Sequence, residues 1–252
     1  ETIAVLVMIL LCIPVLFIYF SFFANAFILD STGELTLQNF QFLYQPIQLS
    51  QYTVEPIGKA FRNTVIFTAI ATTLEVTISC MAGYALARME FTGKRVISFS
   101  LLTLRLFPGV LLLIGVLYVL LHLGILNTLT GVIVVAIALR LPGSTFIIRN
   151  FFAGIPQDIE NSALVDGCNR LTAFFQVIIH MVKPGLASIS IFAFMSAWSN
   201  YLLFNVLIFN TKTPVLATYL RVLSRNDQMI ADYGVFAAMA MVYMLPVLIF
   251  FF

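Results

Sequence analysis

The sequence predicts an all-α integral membrane protein with six transmembrane helices and a cytoplasmic helical loop between the fourth and fifth. Of its 252 residues, 61% are hydrophobic and only 10% are charged, whereas about 25% of the residues of a soluble domain are charged. Apolar runs such as "VLLLIGVLYVLL" lack the alternation of a lipid-facing strand, so they favour helices over a barrel. A polar, glycine-containing segment interrupts these runs once, and it predicts the loop.

The spans follow from the thickness of the membrane. A hydrocarbon core about 30 Å thick requires about 20 helical residues, and six segments reach that length. They are approximately residues 3–24, 62–87, 97–122, 130–151, 186–209 and 235–252. Several contain a proline, which a membrane helix tolerates because neighbouring helices can satisfy the freed carbonyl groups.

The segments between the spans give an orientation. The short loop "ARMEFTGKR" after the second span carries Arg88, Lys94 and Arg95, and cytoplasmic loops of membrane proteins are enriched in such residues. Placing this loop in the cytoplasm puts both chain ends and the loop 152–185 on the same side. The segments 25–61 and 210–234 then face the outside.

The segment "IPQDIENSALVDGCNRLTAFFQVIIHMVKPG", residues 155–185, is here called the elbow. Pro156 and Asp158 predict the start of a short helix with Asp158 as its N-cap, and Gly167 predicts its end. A second helix follows, with apolar residues on one face. These are Leu171, Phe174, Phe175, Ile178 and Val182. The elbow either offers a rigid surface to a cytoplasmic partner or lies at the membrane interface without one.

Several ordered motifs resemble one family. "FFAGIPQDIENSALVDG", followed by a lysine and a proline, resembles the cytoplasmic loop of importer-type ABC permeases. "RNTVIFTAIATTLEVTISCMAGYALARMEFTGKR" and "AWSNYLLFNVLIFN" are similar to the second and fifth spans of the carbohydrate-uptake branch. The resemblance covers about residues 60–250 and is closest to the maltose-permease type of inner-membrane subunit. It implies that residues 1–252 form a single transmembrane permease domain with a coupling-helix loop at 152–185.

The resemblance also implies which elbow residues dock on an ATPase. The family's signature glutamate falls on Asn161, its two alanines on Ser162 and Ala163, and its Asp-Gly pair on Asp166 and Gly167. Glu160 lies one residue earlier and is included in the implied docking set. The chain departs from the pattern at the glutamate, so an amide stands where the family has a charge.

The implied partners are those of an ABC importer in the inner membrane of a bacterium or archaeon. They are a second, homologous permease chain, two ATP-binding subunits, an extracytoplasmic solute-binding protein, a saccharide and the lipid bilayer. The sequence has no G-x-x-x-x-G-K-[ST] phosphate loop, so ATP and Mg are assigned to the ATPase. We expect no catalytic residue, metal or cofactor in this chain, and the net charge of +2 does not indicate a nucleic-acid partner.

Charged residues within the spans mark a candidate translocation path. Glu75, Arg105 and Arg140 fall inside predicted spans, where each needs protein or water around it. They either form an internal ion pair that fixes helix packing or line a net positive path suited to an acidic saccharide or a sugar phosphate. Further polar candidates lie in the fifth span and could bond sugar hydroxyls or neighbouring helices. These are Ser199, Asn200 and Asn205.

The outer segment 210–234 is long enough to be functional. By resemblance to maltose-type permeases, it reaches into the binding protein and helps to displace the sugar. The polar residues implied in this contact are Arg221, Ser224, Arg225, Asn226, Asp227 and Gln228. The alternative is an amphipathic cap on the helix bundle.

Other functional classes remain to be weighed beside the importer. A secondary transporter for a small polar solute would favour inverted repeats with broken helices, and a channel subunit would favour a repeated filter or a ring of charge. An intramembrane enzyme would need a catalytic or metal-binding constellation at helical spacing. None of these patterns is evident in the sequence.

Overall fold

A computed structural model of the chain describes residues 2–28, 33–48, 53–209, 213–224 and 233–251. These residues are mostly helical, which confirms the all-α part of the predicted fold class, while the cytoplasmic coupling-helix loop remains a prediction. The chain divides into two compact units, one formed by residues 1–64 with 214–252 and the other by residues 65–213. The single permease domain remains a prediction.

The helices are numbered in chain order. They are α1 Thr2–Ala26, α2 Gly58–Arg88, α3 Lys94–Leu104, α4 Gly109–His122, α5 Leu129–Ala153, α6 Gln157–Val165, α7 Arg170–Ala173, α8 Ile179–Met181, α9 Lys183–Trp198, α10 Tyr201–Leu207, α11 Leu216–Ser224 and α12 Tyr233–Phe251. A π-helical turn, Phe174–Ile178, joins α7 to α8, and a 3-10 helix covers Gln38–Leu43. Two short strands, β1 Ile47–Gln48 and β2 Thr53–Val54, pair antiparallel.

Two helices among the described residues are long and apolar enough to cross a membrane, namely α2 and α5. The helices from Arg170 to Trp198 form a third candidate, although they bend by 78° between Met181 and Lys183. Shorter apolar helical stretches cover Leu10–Ala26, Leu111–His122 and Tyr233–Ile249. The membrane class is therefore supported, while the number of six spans remains a prediction.

Two predicted spans are not continuous helices. The third is interrupted between α3 and α4, where Pro108 adopts an extended conformation and precedes α4. Proline disfavours a helical conformation in the preceding residue, so it separates the two helices. The fifth is interrupted at Ser199 and Asn200, and the Asn200 side chain caps α10 by accepting a hydrogen bond from the amide of Leu203 at 3.4 Å. The prediction of unbroken helices over 97–122 and 186–209 was wrong.

The unit formed by residues 65–213 is organised around α5, which contacts α3, α4, α9 and α10. Its core near the end of α2 includes Tyr84, Phe152, Phe174 and Ile178. Helices α2 and α5 approach closely at Gly83, where a Cβ atom would lie 2.5 Å from Cγ2 of Ile148. These contacts place the end of α2 against the start of the elbow.

The unit formed by residues 1–64 and 214–252 packs α1 against α12, and α12 also contacts the 3-10 helix and α11. Asn39 is buried there, and its Nδ2 donates to the carbonyl oxygens of Ala26 at 3.1 Å and Ile28 at 2.8 Å. Because the last carbonyl groups of a helix have no partner within it, Asn39 stabilises the end of α1.

Candidate functional site

The first candidate site is a cavity of about 330 Å³ within the unit of residues 65–213. Its polar lining consists of Glu75, Arg105, Arg140, Ser144 and Ser196. A second cavity of about 570 Å³ shares Arg140 and Ser196 with the first. It extends to the break between α9 and α10, where Ser199 and Asn200 line it.

Five of the six predicted path residues therefore border these two cavities. The sixth, Asn205, lines neither. The breaks that the sequence did not predict border these cavities, since Arg105 and Phe107 line the first and Ser199 and Asn200 line the second. These residues lie where a helix ends, whereas Glu75 and Arg140 lie within α2 and α5.

Glu75 and Arg140 form an ion pair in the cavity wall. Arg140 Nε lies 3.6 Å from Glu75 Oε2, and Ser144 Oγ donates to Glu75 Oε1 at 2.6 Å. Arg140 Nη1 also donates to the carbonyl oxygen of Ala193 at 3.3 Å, so the pair connects α2, α5 and α9. These hydrogen bonds offset part of the desolvation cost of the buried Glu75 and the partly buried Arg140. The predicted Glu75–arginine pairing is thus present, and its second member is Arg140.

Arg105 is placed differently. It follows α3 at the helix break, and its guanidinium carbon lies 5.7 Å from the centre of the Phe146 ring, within cation–π range. No acidic side chain pairs with Arg105 within the described part of the chain. Since Glu75 and Arg140 offset each other, the cavity carries one uncompensated positive charge.

The second candidate site is the elbow, where α6 begins one residue before its predicted N-cap. Pro156 occupies the N-cap position without a side-chain hydrogen bond, and Asp158 lies inside the first turn of α6. The prediction of Asp158 as N-cap was wrong. Pro156 has no N–H group and a fixed φ, which suits it to a helix start, and an acidic residue in the first turn interacts favourably with the helix dipole.

The predicted end of α6 at Gly167 is confirmed. Gly167 has φ +90°, in the left-handed region. Its amide donates to the carbonyl oxygen of Leu164 at 3.1 Å, and the amide of Cys168 donates to that of Ala163 at 3.0 Å. This pair of hydrogen bonds defines a Schellman motif, so the chain turns sharply between α6 and α7.

The second elbow helix buries a narrower face than predicted. Phe174, Ile178 and Val182 are buried, at spacings of four. Leu171 and Phe175 are 71% and 57% exposed, so the five apolar residues predicted to share one face are not all buried. The π-helical turn at Phe174–Ile178 adds a residue to that turn and alters the register of the helix.

The predicted docking residues divide between the two faces of α6. Asn161, Ser162, Asp166 and Gly167 are exposed. The first three line a surface groove of about 340 Å³ together with Asp158 and Val165. Ala163 and Glu160 are buried on the opposite face.

Glu160 contacts the end of α2 instead of solvent. Its Oε1 accepts a hydrogen bond from Tyr84 Oη at 2.6 Å, and its Oε2 lies 3.6 Å from Arg88 Nε. Arg88 Nη2 donates to the carbonyl oxygen of Ile155 at 2.5 Å. The sequence reasoning missed Tyr84 and Arg88 as partners of the elbow. Their spacing of four residues, which puts both on one face of α2, was the available signal.

The outer segment is only partly described. The base of α11 is fixed by two hydrogen bonds, from Asn63 Nδ2 to the carbonyl oxygen of Pro214 at 2.9 Å and from the Leu216 amide to Thr64 Oγ1 at 2.9 Å. Arg221 lies on α11 and Ser224 ends it. The predicted contact residues Arg225, Asn226, Asp227 and Gln228 lie outside the described residues. Burial raises the pKa of Tyr219, on the same helix, to about 12.

Comparisons with known proteins agree with this architecture. Residues 75–252 match the family described as binding-protein-dependent transport system inner membrane component. The diacetylchitobiose uptake system permease protein of Streptomyces coelicolor is 33% identical over 96% of this chain and 79% of its own length. The sulfoquinovosyl glycerol transport system permease protein of Agrobacterium fabrum is 32% identical over 75% of this chain and 67% of its own length.

A solved structure is similar in fold. It is a bacterial ABC transporter involved in the import of the acidic polysaccharide alginate, with a TM-score of 0.81, 19% identity, and coverage of 99% of this chain and 92% of that chain. The resemblance to importer-type permeases of the carbohydrate-uptake branch is confirmed, and the alternatives of a secondary transporter and a channel subunit are not supported. The chain belongs to the family of binding-protein-dependent transport system inner membrane components.

Proposed function

We propose that the chain forms half of the path by which an importer moves a saccharide across the inner membrane, and that this saccharide is acidic. The observation that carries the proposal is the uncompensated charge of Arg105 in the cavity wall. Relatives named for diacetylchitobiose and sulfoquinovosyl glycerol support a glycan cargo. The structural neighbour named for an acidic polysaccharide is compatible with an anionic one.

The chemistry of the cavity suits this cargo. A guanidinium group presents a planar set of N–H donors that fits a carboxylate in a bidentate manner. The cation–π contact with Phe146 helps to hold this group in place, and Arg105 is exposed at the cavity wall. Ser196, Ser199 and Asn200 add neutral hydrogen-bonding groups for sugar hydroxyls along the two cavities. The Glu75–Arg140 pair then acts as a support for the wall.

The elbow supplies the coupling. We assign docking on an ATP-binding subunit to the exposed groove of α6, where Asn161, Ser162 and Asp166 lie beside the exposed Val165. ATP and Mg belong to two such subunits, and this chain carries out no chemical reaction. A second permease chain completes the path, both termini lie in the cytoplasm, and the outer segment 210–234 contacts the solute-binding protein.

The cargo is tested by changing Arg105 alone. The importer is reconstituted in proteoliposomes with its binding protein, and uptake of a uronate-containing oligosaccharide is compared with uptake of a neutral one of equal length. Arg105→Gln should lower uptake of the acidic sugar about tenfold, because a hydrogen bond to a charged group is lost. Uptake of the neutral sugar should change little.

Arg95→Gln is the matched control, since Arg95 is exposed on α3 and does not line the cavity. Arg105→Lys separates charge from geometry, and it should restore uptake only in part. Equal uptake of the acidic sugar by the wild-type and Arg105→Gln importers would contradict the proposed cargo.

A further inference from the structure

We infer that Tyr84, Arg88 and Glu160 form a clamp that fixes α6 to the last turn of α2, so that a movement of α6 also moves α2. The inference rests on the proposed docking of the elbow. It gives these three side chains a positioning role, because they reach neither the cavities nor the exposed groove.

The three residues of the clamp come from two helices, α2 and α6. Tyr84 and Arg88 lie four residues apart on α2, and Glu160 lies on the inner face of α6. One carboxylate oxygen of Glu160 accepts a hydrogen bond from the Tyr84 hydroxyl, and the other lies 3.6 Å from Arg88 Nε. Arg88 also bonds the carbonyl oxygen of Ile155, directly before Pro156. Arg88 therefore contacts both the residue before the start of α6 and the first turn of that helix.

The rest of α6 offers little attachment to the core. This helix has only nine residues, and among them only Glu160 and Ala163 are buried. Ala163 contributes a small apolar surface, and Ile159 is partly buried and packs against the core. At its far end the chain turns at Gly167, where nothing in the described residues would meet a Cβ atom. Beside these two apolar residues, the contacts of Glu160 are the polar attachment of the inner face of α6 to α2.

Burial makes the clamp sensitive to the loss of either charged residue. Both charged side chains are only 8% exposed, so removing one partner would leave a buried charge without compensation. Arg88 Nε and Glu160 Oε2 have no hydrogen-bond partner within the described part of the chain. They lie 3.6 Å apart, and a small inward movement of α6 would bring them into hydrogen-bonding range. Pressure on the exposed face of α6 would thus tighten its attachment to α2.

Tyr84→Phe is the mildest test, because it removes one hydroxyl and keeps the ring that packs against Phe152 and Phe174. In the full importer we expect normal copurification of the ATPase, normal ATP hydrolysis and about a tenfold fall in sugar transported per ATP hydrolysed. In the same complex, the amides of α6 should exchange hydrogen about tenfold faster.

Glu160→Gln should act in the same direction and more strongly, since it also removes the charge opposite Arg88. Glu90→Gln is its matched control, because Glu90 is an exposed glutamate in the neighbouring cytoplasmic loop that pairs only with Lys94 among the described residues. It should leave both the transport ratio and the exchange unchanged. If Glu160→Gln fails to assemble, the Tyr84→Phe result decides.

A wild-type transport ratio in an assembled Tyr84→Phe importer would overturn the clamp. If exchange in α6 is nevertheless faster, the three residues have only a structural role. Docking itself is tested separately with Asp166→Arg on the exposed face. Normal ATPase binding by that variant would contradict the proposed docking, while the exchange measurement would still report on the attachment of α6.

Discussion

The wall of the cavity and the inner face of the elbow contain the same chemical arrangement. In each, a buried glutamate accepts a hydroxyl hydrogen bond of 2.6 Å and lies 3.6 Å from the Nε of an arginine. In each, the arginine also donates to a backbone carbonyl. The two arrangements differ in what they join, since one connects α2, α5 and α9 and the other attaches a short loop helix to α2.

The difference shows that an ion pair takes its role from the elements it connects. Glu75 and Arg140 lie on α2 and α5, long helices that also bury apolar residues such as Phe67 and Ile148, so their pair adds to packing that exists without it. Glu160 belongs to a nine-residue helix whose apolar contacts with the core come from Ala163 and the partly buried Ile159, so its pair has a larger share in making that helix follow α2. The same local chemistry can therefore support a wall in one place and transmit movement in the other.

The largest expected effect is a fall in the free energy of unfolding when the cavity pair, Glu75 and Arg140, loses one member. Glu75→Gln leaves Arg140 without a compensating charge, so it should destabilise the permease by about 3–5 kcal/mol. The double variant Glu75→Gln, Arg140→Gln should recover part of that loss, because neither charge then remains buried. Unfolding of the purified permease in mixed micelles with increasing denaturant gives the free energy of unfolding of both the single and the double variant.

The clamp variants Tyr84→Phe and Glu160→Gln should instead change the sugar transported per ATP hydrolysed more than they change the free energy of unfolding. If Glu75→Gln leaves stability unchanged, the cavity pair contributes nothing to packing and the comparison between the two pairs fails.

A smaller effect is expected where the elbow turns. Gly167→Val places a β-branched residue at φ +90°, which costs about 1 kcal/mol or more. The exposed groove and the clamp both depend on the orientation of α6, so this variant should weaken association with the ATPase without preventing membrane insertion. Copurification measures association with the ATPase, and membrane fractionation measures insertion.

Gly154→Ala is the matched control, because Gly154 has a negative φ and a Cβ atom there would meet its nearest neighbours at 3.5 and 3.6 Å, an ordinary contact distance. Gly167→Val with normal ATPase association and normal transport would show that the docking assignment is wrong.

The sequence predicted those features that depend on local composition. Helices α2 and α5 follow from long apolar segments, and a partner for Glu75 follows from the cost of an isolated charge within the membrane. Gly167 was predictable because only a few residues tolerate a left-handed conformation. Each of these depends on a physical requirement of the residue itself.

The missed features depend on contacts between distant segments. Alignment with a family motif put Glu160 among the docking residues, but its face is set by Tyr84 and Arg88 on another helix. The break at Ser199 and Asn200 lies in an apolar segment whose composition gives little warning of it. Leu171 and Phe175 fit an apolar face by spacing, yet the π-helical turn changes which positions face the core.

The smallest expected effect tests whether burial or distance controls the strength of these pairs. Glu90 and Lys94 lie 2.9 Å apart, closer than either buried pair, but the Glu90 side chain is 89% exposed. Water and salt screen such a pair, so a double-mutant cycle with Glu90→Gln and Lys94→Gln should give a coupling energy below about 0.5 kcal/mol. The value should fall further at high salt. The same cycle for Glu75 and Arg140 should give a larger value with less dependence on salt, because their side chains are only 2% and 19% exposed. If the exposed pair proved as strong as the buried ones, separation alone would set the energy, and the burial of Glu75 and Glu160 would no longer explain their roles.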